Sequence, residues 1–260
     1  MRRVLLASLL ALGLSTPALA APPAESTASA TATAESTGLV IVNAEIHVGN
    51  GKVIKDGVVV VTDGKIAAVG GPEVAGQAPA THTRVDVKGK WLTPGFIAPD
   101  ARVGLVEIGM EHSTVDRFRE DDSLIRAGFD PSRAINASSS LIQIQAIEGV
   151  TSAAVAPDGG ILSGQVTWID LVHGDHTGMV AASGIAIDGR LGQAHAGSRA
   201  ATLQALERTF ADASWLRKNQ RAYDKGQSRK LIGHPDDLAA LYPVLDGKTP
   251  LTLTVNRASD

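Results

Sequence analysis

Short apolar runs separated by turn-forming residues mark the first part of the chain after residue 37. Valine, isoleucine and alanine recur there in short stretches that are typical of β-strands. The predicted strands cover residues 38–48, 57–62, 65–70 and 83–87. The dipeptide Asp63-Gly64 between the second and third strands is a strong hairpin signal. Four short strands with tight turns predict a small sheet or sandwich rather than a barrel.

The spacing of the apolar residues changes in the second part of the chain. Residues 134–148 are apolar at helical spacing, and Gly149 follows them as a common helix stop. A strand of small residues over 150–156 and a glycine-rich loop over 157–160 come next. This order of helix, strand and loop is typical of βα units and predicts a parallel sheet.

Further elements follow towards the end of the sequence. We expect strands over 165–172, 179–187 and 251–255, and helices over 199–220 and 235–245. Helices therefore alternate with strands along the second part of the chain, which places the fold in the α/β class.

The N-terminus has the three parts of a secretory signal. Arg2 and Arg3 supply a positive start, and residues 4–14 form an apolar run too short to span a bilayer. Residues 18–20 are Ala-Leu-Ala, a typical cleavage sequence. We therefore expect residues 1–20 to be removed and the protein to be periplasmic or secreted; the alternative is an uncleaved membrane anchor.

Composition narrows the picture further. Residues 21–37 are small and polar, and such a segment buries too little apolar surface to offset its ordering entropy, so we predict a disordered linker. The chain has no cysteine, which excludes disulfides and a lipid-anchored cysteine. Its net charge is −3 and it has no long basic run, so we expect no nucleic-acid partner, and no membrane partner after cleavage.

Two motifs carry a resemblance to a known superfamily. Residues 63–70 read DGKIAAVG and residues 89–97 read GKWLTPGFI, and in this combination they resemble the amidohydrolases. The resemblance implies a small β-sandwich over residues 38–92 and the start of a (β/α)₈ TIM-type barrel over residues 93–260. It also implies hydrolysis of non-peptide or cyclic-amide carbon–nitrogen bonds, by water activated on zinc or another divalent metal.

The chain offers too few strands for a closed barrel. Closure takes eight strands, and only four or five candidates follow Thr93. An open half barrel leaves strand edges unpaired, which proteins normally avoid. We therefore expect the sequence to be the N-terminal part of a longer protein. The alternative is a short protein that forms a homo-oligomer to cover its edges.

The segment that supplies metal ligands in the superfamily departs from the pattern. The resemblance places a His-x-His pair at the end of the first barrel strand, where this chain has Asp100 and Arg102. A guanidinium has no lone pair for a metal, although the Asp100 carboxylate could still bind one through oxygen. A further metal-binding histidine aligns with Thr254, whose neutral hydroxyl is a poor zinc ligand. We therefore expect no metal cofactor.

Asp100, Arg102 and Thr254 remain the candidate pocket residues. Arg102 could pair with Asp100, with another carboxylate, or with a small anionic ligand. A structural salt bridge at a disused site is an equally good interpretation of the pair. Two hypotheses follow: an exported hydrolase that has lost the usual metal site, and a non-catalytic ligand-binding pseudoenzyme on the same scaffold.

Several histidines could bind a metal but have simpler explanations. His173, Asp175 and His176 place three ligand-type side chains in one segment, which we interpret as a polar loop. His195 and His234 are isolated, so surface or structural roles are the simplest interpretation.

Two loops also have a functional and a structural interpretation. Residues 159–165, GGILSGQ, resemble a loop of one periplasmic branch of the superfamily, and its backbone amides could contact a ligand. A turn that requires positive φ explains the glycines equally well. The acidic residues between Glu107 and Asp122 could line the barrel mouth or lie in a solvated loop.

Overall fold

The computed structural model describes residues 38–192 and 196–258. The predicted signal over 1–20, the predicted linker over 21–37 and His195 lie outside the described residues. Within the described ranges, no helix combines the length and the apolar composition that a membrane crossing needs.

The chain divides into two compact units. The first reaches Ile46 and resumes over Val53–Trp91, and the second contains His47–Lys52 and continues from Leu92. Each unit has a sheet of its own, and the candidate pocket residues named from the sequence all fall in the second unit.

The sheet of the first unit has five strands. They are β1 (Gly38–His47), β2 (Val53–Thr62), β3 (Lys65–Gly70), β4 (Thr83–Asp86) and β5 (Trp91–Leu92). The order is β3-β2-β1-β4, and β5 also pairs with β1. The four predicted strands are therefore confirmed as one small sheet, whereas a sandwich is not confirmed.

The predicted hairpin between β2 and β3 is confirmed. The two strands are antiparallel and Thr62 stands opposite Lys65, so only Asp63 and Gly64 make the turn. Both turn residues have positive φ, 51° and 72°. These left-handed conformations are those of a type I′ turn, in which Asp-Gly is favoured.

The second unit is built on another five-stranded sheet. Its strands are β6 (Phe96–Ala101), β7 (Val150–Val155), β8 (Leu162–Asp170), β9 (Val180–Arg190) and β10 (Leu251–Thr254). They lie side by side in the order β10-β9-β8-β7-β6. This mixed sheet is a half barrel, consistent with an incomplete barrel, and a closed TIM barrel is not confirmed.

The expectation of a parallel sheet is wrong for its centre. β8 is antiparallel to both β7 and β9, while β6–β7 and β9–β10 are parallel pairs. The connections on either side of β8, residues 156–161 and 171–179, are too short for the helical crossover that parallel neighbours require. As a result, β6, β7, β9 and β10 all run in one direction, and β8 runs against them.

Four α-helices accompany this sheet in the described residues. They are α1 (Ser140–Ile147), α2 (Arg199–Asp224), α3 (Pro235–Ala239) and α4 (Tyr242–Leu245). The predicted helix over 199–220 is confirmed and continues four residues further, to Asp224.

Two other helix predictions need correction. The helix predicted from residue 134 begins only at Ser140, because Asn136 Oδ1 accepts the Ser138 backbone N–H at 3.0 Å and forms a turn instead. Its predicted end at Gly149 is close to the observed one, and Gly149 has a φ of 89°. The helix predicted over 235–245 is split into α3 and α4, since Pro243 has no N–H to continue the first helix.

Two apolar clusters attach the helices to the sheet. Ile142 of α1 is fully buried in a cluster with Val155 and Ile169 of the sheet. Leu216 of α2 and Leu238 of α3 are fully buried in a second cluster. Burial of large aliphatic side chains is the main stabilising contribution here, at about 1.5–3 kcal/mol for each side chain.

The buried Asp237 carboxylate connects α3 to residues 119–128, a segment that lies between β6 and α1 in the sequence. Asp237 Oδ1 accepts the Gly128 backbone N–H at 2.9 Å, and Arg119 Nη2 donates to Oδ2 at 3.0 Å. The same segment is also hydrogen-bonded to β8, because the Arg126 backbone N–H donates to the Leu162 carbonyl at 2.9 Å. The carboxylate therefore links a helix to the sheet through two strong hydrogen bonds.

We predict that Asp237→Ala lowers the free energy of unfolding by about 2 kcal/mol, because it leaves a buried backbone N–H without its charged acceptor. The matched control is Asp236→Ala, since the neighbouring Asp236 side chain is 90% exposed and holds no buried group. Urea unfolding followed by circular dichroism measures both variants. Equal losses of stability in the two variants would contradict the anchoring role.

Candidate functional site

Polar side chains gather where the second sheet's parallel strands end. Because β6, β7, β9 and β10 run in one direction, their C-terminal ends and the start of β8 share one edge of the sheet. Functional residues of barrel-type folds are placed at such an edge. The strand-end edge, as we call it, carries Asp100, Arg102, Asp158, Ser163, Asp188, Arg190, Thr252 and Thr254.

Asp100 and Arg102 form an ion pair at this edge. Arg102 Nη1 donates to Asp100 Oδ1 at 2.5 Å and also reaches the Ala101 carbonyl at 3.2 Å. The pairing of the two residues was one of the alternatives that the sequence left open. Both contacts use Nη1, and among the described residues Nε and Nη2 of Arg102 make no hydrogen bond or ion pair. One side of the guanidinium therefore remains available as a two-pronged donor.

A cavity of about 450 Å³ adjoins this ion pair. Its wall contains Asp100, Arg102, Glu107 and Gln145 together with apolar side chains such as Leu171. Glu107 is held in place by Ser139 Oγ at 2.9 Å and Asn136 Nδ2 at 3.3 Å. The Arg102 side chain is 22% exposed. A cavity of this size, apolar with a few fixed polar groups, suits a small molecule.

A second ion pair lies at the end of β9. Arg190 Nη2 is 3.1 Å from Asp158 Oδ1. The Arg190 backbone N–H also donates to the Ile161 carbonyl at 2.8 Å, which fixes the end of the strand. Thr254 stands beside Arg190 in the register of β9 and β10 and is exposed. The fold thus brings Thr254 to the same edge as Asp100 and Arg102, although no contact between described side chains joins it to them.

The sequence reasoning missed Asp188, the most deeply buried acid of this edge. Asp188 is 6% exposed, and Thr252 Oγ1 donates to its Oδ1 at 3.2 Å. Burial raises the pKa of Asp188 above its ordinary value, and the Asp100 charge raises it further; Thr252, Ser163 and Arg102 act against the shift. The available signal was an acid at the end of the apolar run Ile185-Ala186-Ile187.

Ser163 is the second buried residue that the sequence reasoning missed. Its side chain is fully buried, and the nearby hydroxyl, as a polar group, lowers the pKa of Asp188. The geometry nevertheless falls short of a hydrogen bond, so within the described residues Ser163 Oγ has no partner. Buried hydroxyls without a partner are uncommon in folded proteins.

The donor groups of the strand-end edge differ from the histidine ligands that the sequence resemblance implies. Asp100 Oδ1 is taken up by Arg102, whose guanidinium has no lone pair and carries a fixed positive charge. Thr254 offers only a neutral hydroxyl. In the part of the chain that the structure describes, no three histidine, cysteine, aspartate or glutamate side chains are grouped as metal ligands.

Two of the histidine candidates, His176 and His234, make local contacts. Asp175 Oδ1 accepts the backbone N–H groups of Thr177 and Gly178 and shapes its own turn, and His176 Nε2 lies 3.0 Å from Ser138 Oγ. His234 Nδ1 accepts the Asp236 backbone N–H at 3.3 Å at the start of α3. These contacts agree with the interpretation of residues 173–176 as a polar loop and of His234 as a structural residue.

The glycine-rich loop after β7 is explained by local packing. Gly159 and Gly160 have φ values of 95° and 74°, in the left-handed region that favours glycine. A Cβ on Gly160 would lie 2.7 Å from the Leu124 carbonyl oxygen, too close for any other residue. The Gly159 N–H donates to Asp158 Oδ1 at 2.8 Å. The turn interpretation therefore accounts for both glycines without a ligand.

The acidic stretch divides between the cavity and a solvated loop. Glu107 lies in the cavity wall. Glu111 accepts from the Ser113 backbone N–H and hydroxyl, which lowers its pKa, and Asp121 pairs with Arg119 and Arg126. Most of these contacts are local to the loop.

The fold of the described residues is similar to that of a solved amidohydrolase structure. A crystal structure of an amidohydrolase from Thermotoga maritima MSB8 matches with a TM-score of 0.69 and 20% sequence identity, over 85% of this chain and 59% of that chain. The chain thus spans less than two thirds of that protein, and at this identity the match shows a shared fold alone. No protein-family description and no curated protein sequence matches the chain.

Two other structures match over less than half of this chain. A molinate hydrolase has a TM-score of 0.31 at 24% identity and matches over 46% of this chain and 24% of its own. The guanine deaminase of E. coli has a TM-score of 0.29 at 21% identity, over 46% of this chain and 29% of its own. Similarity at this level does not indicate a common fold.

We predict that Asp188→Asn stabilises the protein at neutral pH relative to the wild type. Because the pKa of Asp188 is raised in the folded protein, the protonated carboxyl favours folding. This contribution to the free energy of unfolding is present at low pH and is lost as pH rises through the folded-state pKa. The difference in the free energy of unfolding between Asp188→Asn and the wild type should therefore shrink as pH falls towards 3.8, the ordinary pKa of an aspartate.

Chemical denaturation of both proteins across this pH range measures the effect. The control is Asp63→Asn, at an exposed turn position where Asn-Gly is as favourable as Asp-Gly. A pH-independent difference between Asp188→Asn and wild type would show that burial does not disfavour the Asp188 charge.

Proposed function

We propose that this protein is an exported, non-catalytic member of the amidohydrolase type, which binds a small anionic ligand at the strand-end edge. On this proposal the metal-dependent hydrolysis of carbon–nitrogen bonds has been lost. The fold match supports the hydrolase-type scaffold, and fold alone does not determine function. The argument for binding therefore rests on the residues of the edge.

The single observation that carries the proposal is the orientation of Arg102. Its Nη1 atom faces Asp100 and the Ala101 carbonyl, which leaves Nε and Nη2 for a ligand. These two N–H groups point the same way in a planar guanidinium and match the two oxygens of a carboxylate. Asp100 keeps the guanidinium in place, and the adjoining cavity provides room for the ligand.

The loss of metal-dependent hydrolysis is supported by charge. Water activation in a metal site needs ligands that donate lone pairs to a cation. Arg102 places a positive charge where a cation would stand, and its partner Asp100 is occupied by the ion pair. Thr254 adds no charge to compensate.

Export is supported by the sequence alone. Arg2 and Arg3, the short apolar run over 4–14 and Ala-Leu-Ala at 18–20 form the pattern of a cleavable signal. We propose a periplasmic or secreted location on this basis.

We predict that Arg102→Gln weakens the binding of small carboxylates by at least about tenfold, equivalent to about 1.4 kcal/mol, because glutamine has neither the charge nor the fork of donors. Isothermal calorimetry with acetate, butanoate, hexanoate and inorganic phosphate tests this in the full-length protein. Arg84→Gln is the matched control, since Arg84 is an exposed arginine of β4 in the other unit. Binding that survives Arg102→Gln unchanged, or that is absent from the wild type, would overturn the proposal.

We also predict that the wild-type protein holds far less than one zinc ion per chain, whereas the double variant Asp100→His with Arg102→His gains zinc. Two imidazoles replace a fixed positive charge by neutral nitrogen donors. Elemental analysis of both full-length proteins after equilibration with zinc is the measurement. Near-stoichiometric zinc in the wild type, lost on Asp100→Ala, would show an oxygen-rich metal site and favour the hydrolase hypothesis.

A further inference from the structure

The cavity beside Arg102 is long, and most of its wall is apolar. Its apolar side chains come from β6, α1, β7 and the segments next to them, among them Ala98, Val106, Leu141, Val150 and Leu171. Val150 is the first residue of β7, and Ala101, also in the wall, stands opposite Val155 at the end of β7. The wall therefore extends about 16 Å along β7, at about 3.3 Å per residue.

The polar groups of this wall already have partners, except at one end. Glu107 accepts hydrogen bonds from Ser139 and Asn136, and Asp100 is paired with Arg102. Gln145 is exposed, so water can satisfy its amide. The free side of Arg102, which directly follows Ala101, remains as a donor at the strand-end of the cavity. The rest of a bound molecule has no polar group to satisfy there, which favours a hydrocarbon chain.

Apolar surface continues beyond the opposite end of the cavity. Phe96 stands opposite Val150 in the register of β6 and β7 and is 60% exposed. A Cβ on Gly149 would lie 3.5 Å from the Phe96 ring, so this ring lies beside the end of α1, where Ile147 is 82% exposed. A chain that runs along the cavity away from Arg102 therefore meets apolar side chains over its whole length.

A second carboxylate on the Arg102 guanidinium has a counterpart within this protein. Arg119 pairs with two carboxylates at once, through Nε with Asp121 and through Nη2 with Asp237. Its side chain is 33% exposed, compared with 22% for Arg102. A ligand carboxylate on Nε and Nη2 of Arg102, opposite Asp100, would repeat this arrangement.

We propose that the ligand is an aliphatic monocarboxylate, whose carboxylate binds Nε and Nη2 of Arg102 and whose alkyl chain lies in the apolar cavity along β7. The inference rests on the proposed function, because it takes the Arg102 subsite as given, and it adds the chemical class of the ligand. Entry is open from solvent, since the Asp100 side chain is 58% exposed and Gln145 is exposed. The negative charge of Glu107 in the wall disfavours a second carboxylate on the chain.

The test measures affinity against chain length by calorimetry on the full-length protein. Acetate, butanoate, hexanoate and octanoate are compared at neutral pH. A fully buried methylene strengthens binding about fourfold, so we expect at least about twofold for each methylene added. Two further probes have the length of hexanoate: 1-hexanol lacks the charge, and hexanedioate adds a second one. Each should bind at least about tenfold more weakly than hexanoate.

A substitution that fills the cavity tests where the chain lies. Ala98 is half-buried in the wall, so Ala98→Leu places additional carbon atoms where the alkyl chain is expected. The advantage of octanoate over acetate should disappear, while acetate binding should remain, which also shows that the variant is folded. Ala67→Leu is the matched control, since Ala67 is an exposed strand alanine of the other unit.

A second variant pair avoids the core altogether. Gln145 and Gln143 are exposed glutamines of the same helix, α1, but only Gln145 belongs to the wall of this cavity. Gln145→Leu should strengthen octanoate binding at least about twofold, because it extends the apolar wall. Gln143→Leu should leave octanoate binding unchanged.

The outcomes separate the two proposals. An affinity that does not depend on chain length overturns the monocarboxylate inference and leaves anion binding by Arg102 standing. A chain-length effect that persists in Ala98→Leu, equal binding of 1-hexanol and hexanoate, or equal effects of the two glutamine substitutions also overturns the inference. Failure of all the carboxylates to bind overturns the proposed function itself.

Discussion

The common direction of β6, β7, β9 and β10 is the constraint on which the candidate site depends. These four strands lie in separate parts of the sequence, and only their shared direction brings Asp100, Asp188 and Thr254 to one edge. The reversed strand β8 contributes in the opposite way, because it places Ser163 at that edge by its start rather than its end. The helices that pack on the sheet hold the strands in this arrangement.

The contacts described at the strand-end edge include two ion pairs between carboxylates and guanidinium groups. A site built on imidazoles holds a cation by lone pairs, whereas this edge alternates carboxylates with guanidinium groups that satisfy one another. Asp188 is the position where a pair is incomplete, and the free side of Arg102 is the position where a donor is unused.

The buried aspartates of the second unit differ in whether an arginine compensates their charge. Asp212 accepts the Ile232 backbone N–H at 2.8 Å besides its arginine partner, and Asp237 accepts that of Gly128, so both fasten loops to helices. Their charges are compensated within the protein, and their contribution is to stability. Asp188 has similar burial but no ion pair within the described residues, so its burial disfavours the charged carboxylate.

The sequence by itself determined the local elements and the type of scaffold. Alternation of apolar residues predicted β1 to β4, and Asp63-Gly64 predicted their hairpin, because strand and turn preferences act between neighbours along the chain. The motifs of residues 63–70 and 89–97 indicated the superfamily and directed attention to Asp100 and Arg102. Tertiary structure decided what depends on distant contacts. The direction of β8 follows from the short connections on either side of it, and the late start of α1 follows from a competing hydrogen bond. The burial of Asp188 beside Ser163 arises from packing between separate strands, and periodicity records none of the three.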